Sequence, residues 1–260
     1  MIDPEIRQEI MRRIHAAEAE HNVRVLYAIE SGSRAWGFAS PNSGYDVRFV
    51  YARPQDWYLS IDVENKRDVI EYPIVDEIDI NGWDIRKALQ LFRKSNPSLV
   101  EWLYSPIIYV DDGRFASTLR DWIADMYSVE QGIYHYRSMA KTNFRGYLQE
   151  DLVPLKKYFY VLRPLLSARW IEQHKTPAPI EFDRIKTLIA HDSSLLAAIN
   201  DLLALKKQAQ EKQLGPKIPE IHHFIERELT RLESVDVVSS NRNYEPEILN
   251  VFFREVVTAN

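Results

Sequence analysis

Two patterns of hydrophobic and polar residues follow one another along the chain. In the first, short apolar runs alternate with turn residues, and the nearly continuous run from Val23 to Ile29 is typical of a strand that is covered on both faces. Further strands are predicted at residues 47–51, 68–72 and 77–81, and residues 107–110 form another short apolar run. Helices are predicted at residues 4–17 and 85–96.

The second pattern begins beyond about Pro106 and is almost entirely helical. Predicted helices cover residues 115–149 with a break near Ser128, and residues 155–173, 182–191, 195–212, 220–234 and 245–258. Connectors that contain proline separate several of these helices. The pattern therefore predicts an α/β domain at residues 1–110, followed by an all-helical domain at residues 111–260.

Composition narrows the possible classes of protein. The chain has 260 residues, of which 45% are hydrophobic and 27% are charged, so it can bury a sizeable core and is not expected to be disordered. The absence of cysteine excludes disulfides, thiolate zinc sites and cysteine nucleophiles. A net charge of −5 argues against a uniformly basic nucleic-acid-binding surface, although a local basic groove is compatible with it.

The N-terminus carries no sign of a secretion signal. Acidic residues interrupt its apolar residues throughout the first twenty positions, so it has no uninterrupted apolar segment. Elsewhere no apolar run approaches the roughly 20 residues that cross a bilayer. We therefore expect a cytoplasmic protein with no membrane association.

Candidate chemistry is concentrated between Glu30 and Arg48. Gly32 and Ser33 end a buried strand, and Asp46 follows about a dozen residues later, as the next strand begins. Gly32 would let backbone N–H groups approach phosphate oxygens, and the Ser33 hydroxyl could donate a further hydrogen bond. Carboxylates on adjoining strands could hold Mg²⁺. This arrangement resembles the nucleotidyltransferase motif of the DNA polymerase beta superfamily.

A longer match makes the resemblance more specific. It comprises five segments of the first half in a fixed order, namely Ser33-Arg34-Ala35-Trp36-Gly37, Tyr45-Asp46-Val47-Arg48, Gly82-Trp83-Asp84-Ile85-Arg86, Ser95-Asn96-Pro97 and Glu101-Trp102-Leu103. Segments of the second half, among them Lys156-Lys157-Tyr158 and Leu162-Arg163-Pro164-Leu165, continue it. The chain thus resembles the YcgL-like nucleotidyltransferases, the RNA repair pathway DNA polymerase beta family.

The resemblance implies a fold, a reaction and a set of partners. The expected architecture is an α/β (α+β) nucleotidyltransferase domain with a short mixed sheet, followed by the helical domain, which closes over the nucleotide. The expected reaction transfers a nucleoside monophosphate from a nucleoside triphosphate to a hydroxyl, with Mg²⁺ or Mn²⁺ as cofactor. The acceptor stays open among an RNA, a protein side chain and a small molecule, and the oligomeric state stays open as well.

The implied metal ligands include one departure from the family pattern. Asp46 and Asp79 are the expected catalytic carboxylates, and either could accept the proton of the attacking hydroxyl. The family places a further acid two residues before Asp46, but this chain has Gly44 there, so the resemblance implies an enzyme that is weakened or inactive. Glu77, on the same predicted strand face as Asp79, is a further candidate ligand that could compensate in part. The alternatives for Asp46 are that it caps a loop or forms an ion pair with Arg48 or Arg34.

The implied nucleotide-binding residues come from both halves of the chain. Gly32, Ser33, Arg34 and Trp36 belong to the motif loop, and Lys156, Lys157 and Arg163 to a helix of the second half. For the last three, contact with a triphosphate or an RNA backbone and simple solvation are equally compatible with the sequence. Because of Gly44, two other functions stay open: a nucleotide- or RNA-binding module without turnover, and a partner protein in an RNA repair or toxin–antitoxin-like system.

Overall fold

A five-stranded mixed sheet forms the centre of the first half. The computed structural model describes residues 2–208, 214–235, 245 and 247–259. The strands, in chain order, are β1 (Arg24–Glu30), β2 (Tyr45–Ala52), β3 (Val69–Glu71), β4 (Ile78–Asp84) and β5 (Ile108–Asp111). In space the order is β3-β4-β2-β1-β5, and only β2 and β4 pair in parallel. The expectation of a short mixed sheet is therefore confirmed.

Helices cover both faces of this sheet. Alternate side chains of β2 point to opposite sides, so Phe49 packs with α1 (Pro4–His21) while Val50 packs with helices of the other face. That second face is covered by α4 (Ile85–Arg93), α5 (Pro97–Leu103), α6 (Phe115–Met126) and α12 (Glu247–Thr258). Two short helices, α2 (Gly32–Ala35) and α3 (Gln55–Tyr58), follow β1 and β2. The result is a three-layer arrangement with its core on both sides of the sheet.

Where the structure describes it, the second half is helical apart from one small ribbon. Its helices are α7 (Val129–Tyr147), α8 (Phe159–His174), α9 (Phe182–Lys186), α10 (Ser193–Gln208) and α11 (Pro219–Glu233). Strands β6 (Leu152–Pro154) and β7 (Leu214–Pro216) form an antiparallel pair that the sequence pattern did not predict. The helical second half is thus confirmed, with this ribbon as an addition. Residues 209–212 of the predicted helix 195–212 lie outside the described residues.

Local chemistry explains where several elements end. The predicted break near Ser128 separates α6 from α7, and the Ser128 hydroxyl caps α7 by accepting a hydrogen bond from the Gln131 N–H at 3.1 Å. Gly82 was predicted to end a strand, but it lies inside β4. Glycine is needed at this position because a Cβ would lie 2.2 Å from the ring of Phe49. Helix α5 was not predicted, although Asn96 caps it and Pro97 opens it.

The buried clusters do not follow the predicted division at residue 110. Helix α6 and the C-terminal helix α12 bury Phe115, Leu119 and Phe252 against the sheet. A separate cluster contains buried residues of the five helices from α7 through α11, together with Phe38 from the loop after α2. On this grouping the helical unit starts near Ser128, and the chain returns to the sheet unit at its end. Within the described ranges, no helix combines the length and apolar character needed to cross a membrane.

Candidate functional site

The two expected carboxylates lie side by side on neighbouring strands. Asp46 of β2 and Asp79 of β4 are direct partners in the parallel register. Because paired residues of parallel strands point to the same face, both side chains reach the same cavity. The Asp46 side chain is 40% exposed and the Asp79 side chain 26%, so both carboxylates remain accessible to solvent.

Arg48 lies between these carboxylates. Its Nη2 is 2.7 Å from Asp79 Oδ2 and 3.7 Å from Asp46 Oδ1. Its Nη1 donates to the carbonyl oxygens of Val47 and Asp79 at 2.8 and 2.9 Å. The other oxygen of Asp79, Oδ1, accepts a hydrogen bond from Asn81 Nδ2 at 2.6 Å. The ion pair between Asp46 and Arg48 that the sequence left open therefore exists, but Arg48 lies closer to Asp79 than to Asp46.

The loop after β1 packs directly against Asp46. The Ser31 N–H donates to the Asp46 carbonyl at 2.8 Å, and Gly32 follows with φ of +60°. A Cβ at Gly32 would lie 1.9 Å from Asp46 Oδ2, so a side chain there would displace the carboxylate. Glycine is thus required both by the left-handed backbone and by the close approach. Ser33, the next residue, lines the cavity beside Asp46.

Glu30 holds the backbone of Asp46 by a hydrogen bond and was not selected from the sequence. This fully buried residue accepts the Asp46 N–H at Oε1 (2.9 Å) and the Tyr109 hydroxyl at Oε2 (2.7 Å). Burial raises the pKa of Glu30 to about 7, although the two hydrogen bonds act in the opposite direction. A charged residue at the end of an apolar strand was the only sequence signal for it.

The cavity lies between the sheet unit and the helical unit and has a volume of about 330 Å³. The sheet side contributes Ser33, Asp46 and Asp79, and the helical side contributes Lys156 and Lys206. Acidic residues therefore line the cavity from the sheet unit and lysines line it from the helical unit. This distribution suits a ligand that carries both phosphates and a coordinated cation.

Gly44 stands immediately before β2 rather than within it. Its carbonyl oxygen accepts Arg34 Nε at 3.0 Å, and the Ser43 carbonyl accepts Arg34 Nη2 at 2.5 Å. Arg34 also lies over the ring of Tyr45, with its Cζ 3.9 Å from the centroid. Arg34 does not line the cavity. The expectation that Arg34 contacts phosphate is therefore corrected: Arg34 holds the loop before β2 through the carbonyl oxygens of Ser43 and Gly44.

The surroundings of Gly44 also leave little room for a side chain. A Cβ there would lie 2.9 Å from the carbonyl oxygen of Glu77, which accepts the Tyr45 N–H at 2.8 Å. Asp76 and Glu77 form a tight turn with φ of +52° and +62°, which fixes that carbonyl. Glu77 is exposed and lines the cavity.

The donor set fits a magnesium ion in part. Asp46 and Asp79 offer the carboxylate oxygens that Mg²⁺ or Mn²⁺ prefers. Among the residues that the structure describes, however, no three acidic or histidine side chains come close enough to form a metal cluster. Glu77 thus lines the same cavity without joining the carboxylate pair.

The three basic residues expected to bind nucleotide occupy different environments. Lys156 lines the cavity. Lys157 lies between two aromatic rings, with its Nζ 3.9 Å from the centroid of Tyr147 and 4.5 Å from that of Tyr160. Lys156 and Lys157 belong to a 3₁₀ turn, Leu155–Tyr158, and not to the predicted helix. The directions of their side chains relative to Arg163 therefore differ from those expected in one continuous α-helix.

Arg163 is buried and does not reach the cavity. Only 4% of its side chain is exposed, its Nη2 forms an ion pair with Glu101, and its Cζ lies 4.1 Å from the Trp36 ring centroid. The Tyr136 hydroxyl donates to the same Glu101 at 2.7 Å. We therefore revise the expected phosphate contact: Arg163 joins α5, α7 and α8 and positions Trp36.

Aromatic residues form one wall of the cavity. Trp36 lines it, with Phe38 and Tyr160 at ring-centroid distances of 5.6 and 5.8 Å. Tyr160 and Lys206 were not selected from the sequence, because each comes from a helix far from the motif loop. Lys206 Nζ donates to the Phe38 carbonyl at 3.1 Å, which joins α10 to that loop.

Two comparisons with known proteins find similarity along most of the chain. The profile of the RNA repair pathway DNA polymerase beta family matches residues 6–255. The chain is also 45% identical over 227 residues to the Bacillus subtilis (strain 168) protein named uncharacterized protein YcgL. That alignment covers 87% of this chain and 86% of the relative. Both similarities extend across the sheet unit and the helical unit.

Proposed function

Because the chain belongs to the RNA repair pathway DNA polymerase beta family, we propose that it transfers a nucleoside monophosphate from a nucleoside triphosphate to a hydroxyl acceptor. One observation carries the proposal: Asp46 and Asp79 meet in register on the wall of a cavity that Ser33 and Lys156 also line. Carboxylates beside phosphate-binding groups are what this reaction needs.

Different groups of cavity residues bind different parts of the triphosphate in the proposed reaction. The Ser33 hydroxyl donates to a phosphate oxygen, and the ammonium groups of Lys156 and Lys206 balance the charge of the triphosphate. Trp36 and Tyr160 offer aromatic surface for the nucleobase. Mg²⁺ or Mn²⁺, bound at Asp46 and Asp79, would neutralise phosphate charge and favour ionisation of the acceptor hydroxyl.

The bond changes balance without a further reactant. The acceptor oxygen forms a bond to the α-phosphorus, and the bond from that phosphorus to the bridging oxygen of the β-phosphate breaks. Pyrophosphate leaves, and Asp46, the more exposed carboxylate, accepts the proton of the acceptor hydroxyl. The acceptor is an RNA, a protein side chain or a small molecule, and the family name favours RNA.

A second function is favoured by Gly44. If two carboxylates are too few for turnover, the same cavity would bind a nucleotide or RNA end without transferring it. Binding and transfer measured on the same preparation separate the two functions, because a binding module would retain affinity and release no pyrophosphate.

The test is a transfer assay with the purified chain. It is supplied with Mg²⁺ or Mn²⁺, the four nucleoside triphosphates labelled at the α-phosphate, and total cellular RNA. Label should enter product with the unaltered chain, and Asp46→Asn and Asp79→Asn should each lower the rate at least about a hundredfold. Asp121→Asn, an exposed acid on α6, serves as the control and should leave the rate unchanged. Incorporation that survives Asp46→Asn would refute the proposed site.

A further inference from the structure

Phe38 follows the motif loop of the sheet unit but is buried in the helical unit. Only 4% of the residue is exposed, and it belongs to the cluster that contains the helices from α7 through α11. The centroid of its ring lies 4.8 Å from that of Phe159 and 5.5 Å from that of Phe182. The Lys206 ammonium donates to its carbonyl oxygen at 3.1 Å. Three helices, α8, α9 and α10, therefore hold this residue.

Backbone hydrogen bonds connect this anchor to Ser33. The Phe38 N–H donates to the Ser33 carbonyl at 3.1 Å, and the Trp36 N–H donates to the Gly32 carbonyl at 3.0 Å. The Phe182 N–H donates to the Trp36 carbonyl at 2.9 Å, which is a second bond from the helical unit. The turn that carries Ser33 is thus bonded to residues that the helical unit holds.

The turn depends on such outside contacts for its geometry. Helix α2, which contains Ser33, is only four residues long. So short a helix is not stable by itself, because its few hydrogen bonds do not offset the entropy lost on ordering it. The sheet unit holds the start of the turn through the bond from the Ser31 N–H to the Asp46 carbonyl. The packing of Phe38 holds its other end.

We propose that Phe38 is a positioning residue for this turn, so that the packing of the helical unit determines how well Ser33 meets a phosphate. The inference rests on the proposed function, because Ser33 donates to a phosphate oxygen in that function. The side chain of Phe38 also lines the cavity, but its effect on phosphate binding passes through the backbone of Ser33. By linkage, a bound phosphate ligand in turn stabilises the packing of Phe38.

The test is calorimetric titration with inorganic triphosphate at a fixed Mg²⁺ concentration, because this ligand has no nucleobase for the Phe38 ring to contact. Phe38→Ala should weaken binding about tenfold, as expected when one hydrogen bond to a charged phosphate is lost. Ser33→Ala should weaken it by a similar factor. The double variant should bind no more weakly than Ser33→Ala alone, because both substitutions remove the same contact.

Phe224→Ala is the matched control. Phe224, on α11, is 2% exposed and belongs to the same cluster as Phe38, but it does not line the cavity. Its truncation removes the same ring from the helical core, and its affinity for inorganic triphosphate should equal that of the unaltered chain. Circular dichroism must show that each variant folds. If Phe38→Ala does not, Phe38→Leu takes its place, with a smaller loss that again disappears when Ser33 is alanine.

Several results would overturn the inference. One is an unchanged affinity for inorganic triphosphate in the folded Phe38 variant. Others are losses that multiply in the double variant, an equal loss in Phe224→Ala, and an unaltered chain that does not bind inorganic triphosphate.

The transfer assay fails independently of this titration. Losses that do not multiply, together with no nucleotide transfer, would refute the proposed function and retain the role of Phe38. Transfer by a chain in which the two losses multiply would do the reverse.

Discussion

A Cβ at Gly32 would lie 1.9 Å from the carboxylate oxygen Oδ2 of Asp46, so the glycine fixes how closely the motif loop approaches the acid. The backbone cannot relieve that contact easily, because the Ser31 N–H is hydrogen-bonded to the Asp46 carbonyl. Gly32 also adopts a φ of +60°, which favours glycine. The position of the carboxylate thus depends on the absence of a side chain in the neighbouring loop.

Gly32→Ala should therefore disturb both the fold and the site. We expect the free energy of unfolding to fall by about 2–3 kcal/mol, from left-handed strain and overpacking together, and Mn²⁺ binding to weaken. Denaturant unfolding and Mn²⁺ titration measure the two effects. Gly37→Ala is the matched control, because Gly37 has φ of +87° and a Cβ there would meet nothing within 4 Å. Equal losses of Mn²⁺ affinity in both variants would show that the contact with Asp46 is unimportant.

Ser33→Ala should weaken nucleotide binding without weakening the fold. Ser33 lines the cavity, and loss of one hydrogen bond to a charged phosphate is worth roughly 1–2 kcal/mol, or about tenfold in affinity. Calorimetric titration with a nucleoside triphosphate measures the change, and thermal unfolding checks the fold. Ser33→Thr keeps a hydroxyl and should retain most of the affinity. An unchanged dissociation constant for Ser33→Ala would remove Ser33 from the site.

Arg163 and Lys156 should respond differently to alanine substitution. Arg163→Ala leaves Glu101 buried without its ion partner, so we expect a loss of about 3 kcal/mol in stability and no change in the salt dependence of triphosphate binding. Lys156→Ala should instead weaken triphosphate binding and flatten its salt dependence, with little effect on stability.

Triphosphate titrations at several salt concentrations, alongside denaturant unfolding, check both variants. For Arg163 the sequence left phosphate contact and solvation equally open, and its burial against Glu101 corresponds to neither. A flattened salt dependence in Arg163→Ala would return it to the phosphate site. Substituting both partners, Arg163→Leu with Glu101→Leu, should recover part of the lost stability, because no unpaired buried charge remains.

The elements of the fold were more predictable than the partners of individual side chains. Local signals such as apolar runs and the capping residue Ser128 mark where strands and helices begin and end. Asp46 could be selected because it enters a strand about a dozen residues after Gly32, and Asp79 because the resemblance places a further carboxylate on the predicted strand 77–81. Their side-by-side placement depends on the parallel pairing of β2 and β4, which no local pattern specifies.

The remaining site residues depend on contacts between distant segments. Lys206 reaches the cavity from a helix whose sequence is typical of a solvated amphipathic segment, and Arg163 is buried by Glu101 of a helix that was not predicted. The 3₁₀ turn that carries Lys156 and Lys157 changes their orientation relative to Arg163, which a continuous helical pattern hides. Such placements follow from tertiary packing rather than from local sequence.

Glu30 should make stability depend on pH near neutrality. Its pKa is raised from its ordinary value of 4.5 to about 7 in the folded chain, mainly by burial. Between these two values the folded state holds a proton that the unfolded state has released. Stability should therefore fall as pH rises from about 4.5 to 7, by of order 2 kcal/mol from this residue.

Unfolding of the unaltered chain and of Glu30→Gln across this pH range checks the expectation. Glutamine keeps an acceptor for the Asp46 N–H and can donate to the Tyr109 oxygen, so the variant should fold and lose this part of the pH dependence. The difference in stability between the two proteins is the quantity to follow, because other titrating groups contribute equally to both. A difference that stays constant with pH would show that Glu30 keeps one protonation state.

Gly44→Asp tests whether the missing acid limits the reaction. The sequence resemblance indicates that a carboxylate here would complete a three-acid set with Asp46 and Asp79, raising divalent-ion affinity and pyrophosphate release. The structure adds an opposing effect, because any Cβ at position 44 would lie 2.9 Å from the Glu77 carbonyl. That carbonyl is held by the Tyr45 N–H, so the turn before β4 must shift, at about 1–2 kcal/mol of stability.

Gly44→Asn is the matched control, because asparagine has nearly the same shape as aspartate and no charge. Both variants should lose similar stability in denaturant unfolding, which measures the steric effect alone. Only Gly44→Asp should bind Mn²⁺ more tightly than the unaltered chain and release pyrophosphate faster, by at least about tenfold, given a suitable acceptor. Equal pyrophosphate release by the aspartate and asparagine variants would show that a carboxylate at position 44 does not limit turnover.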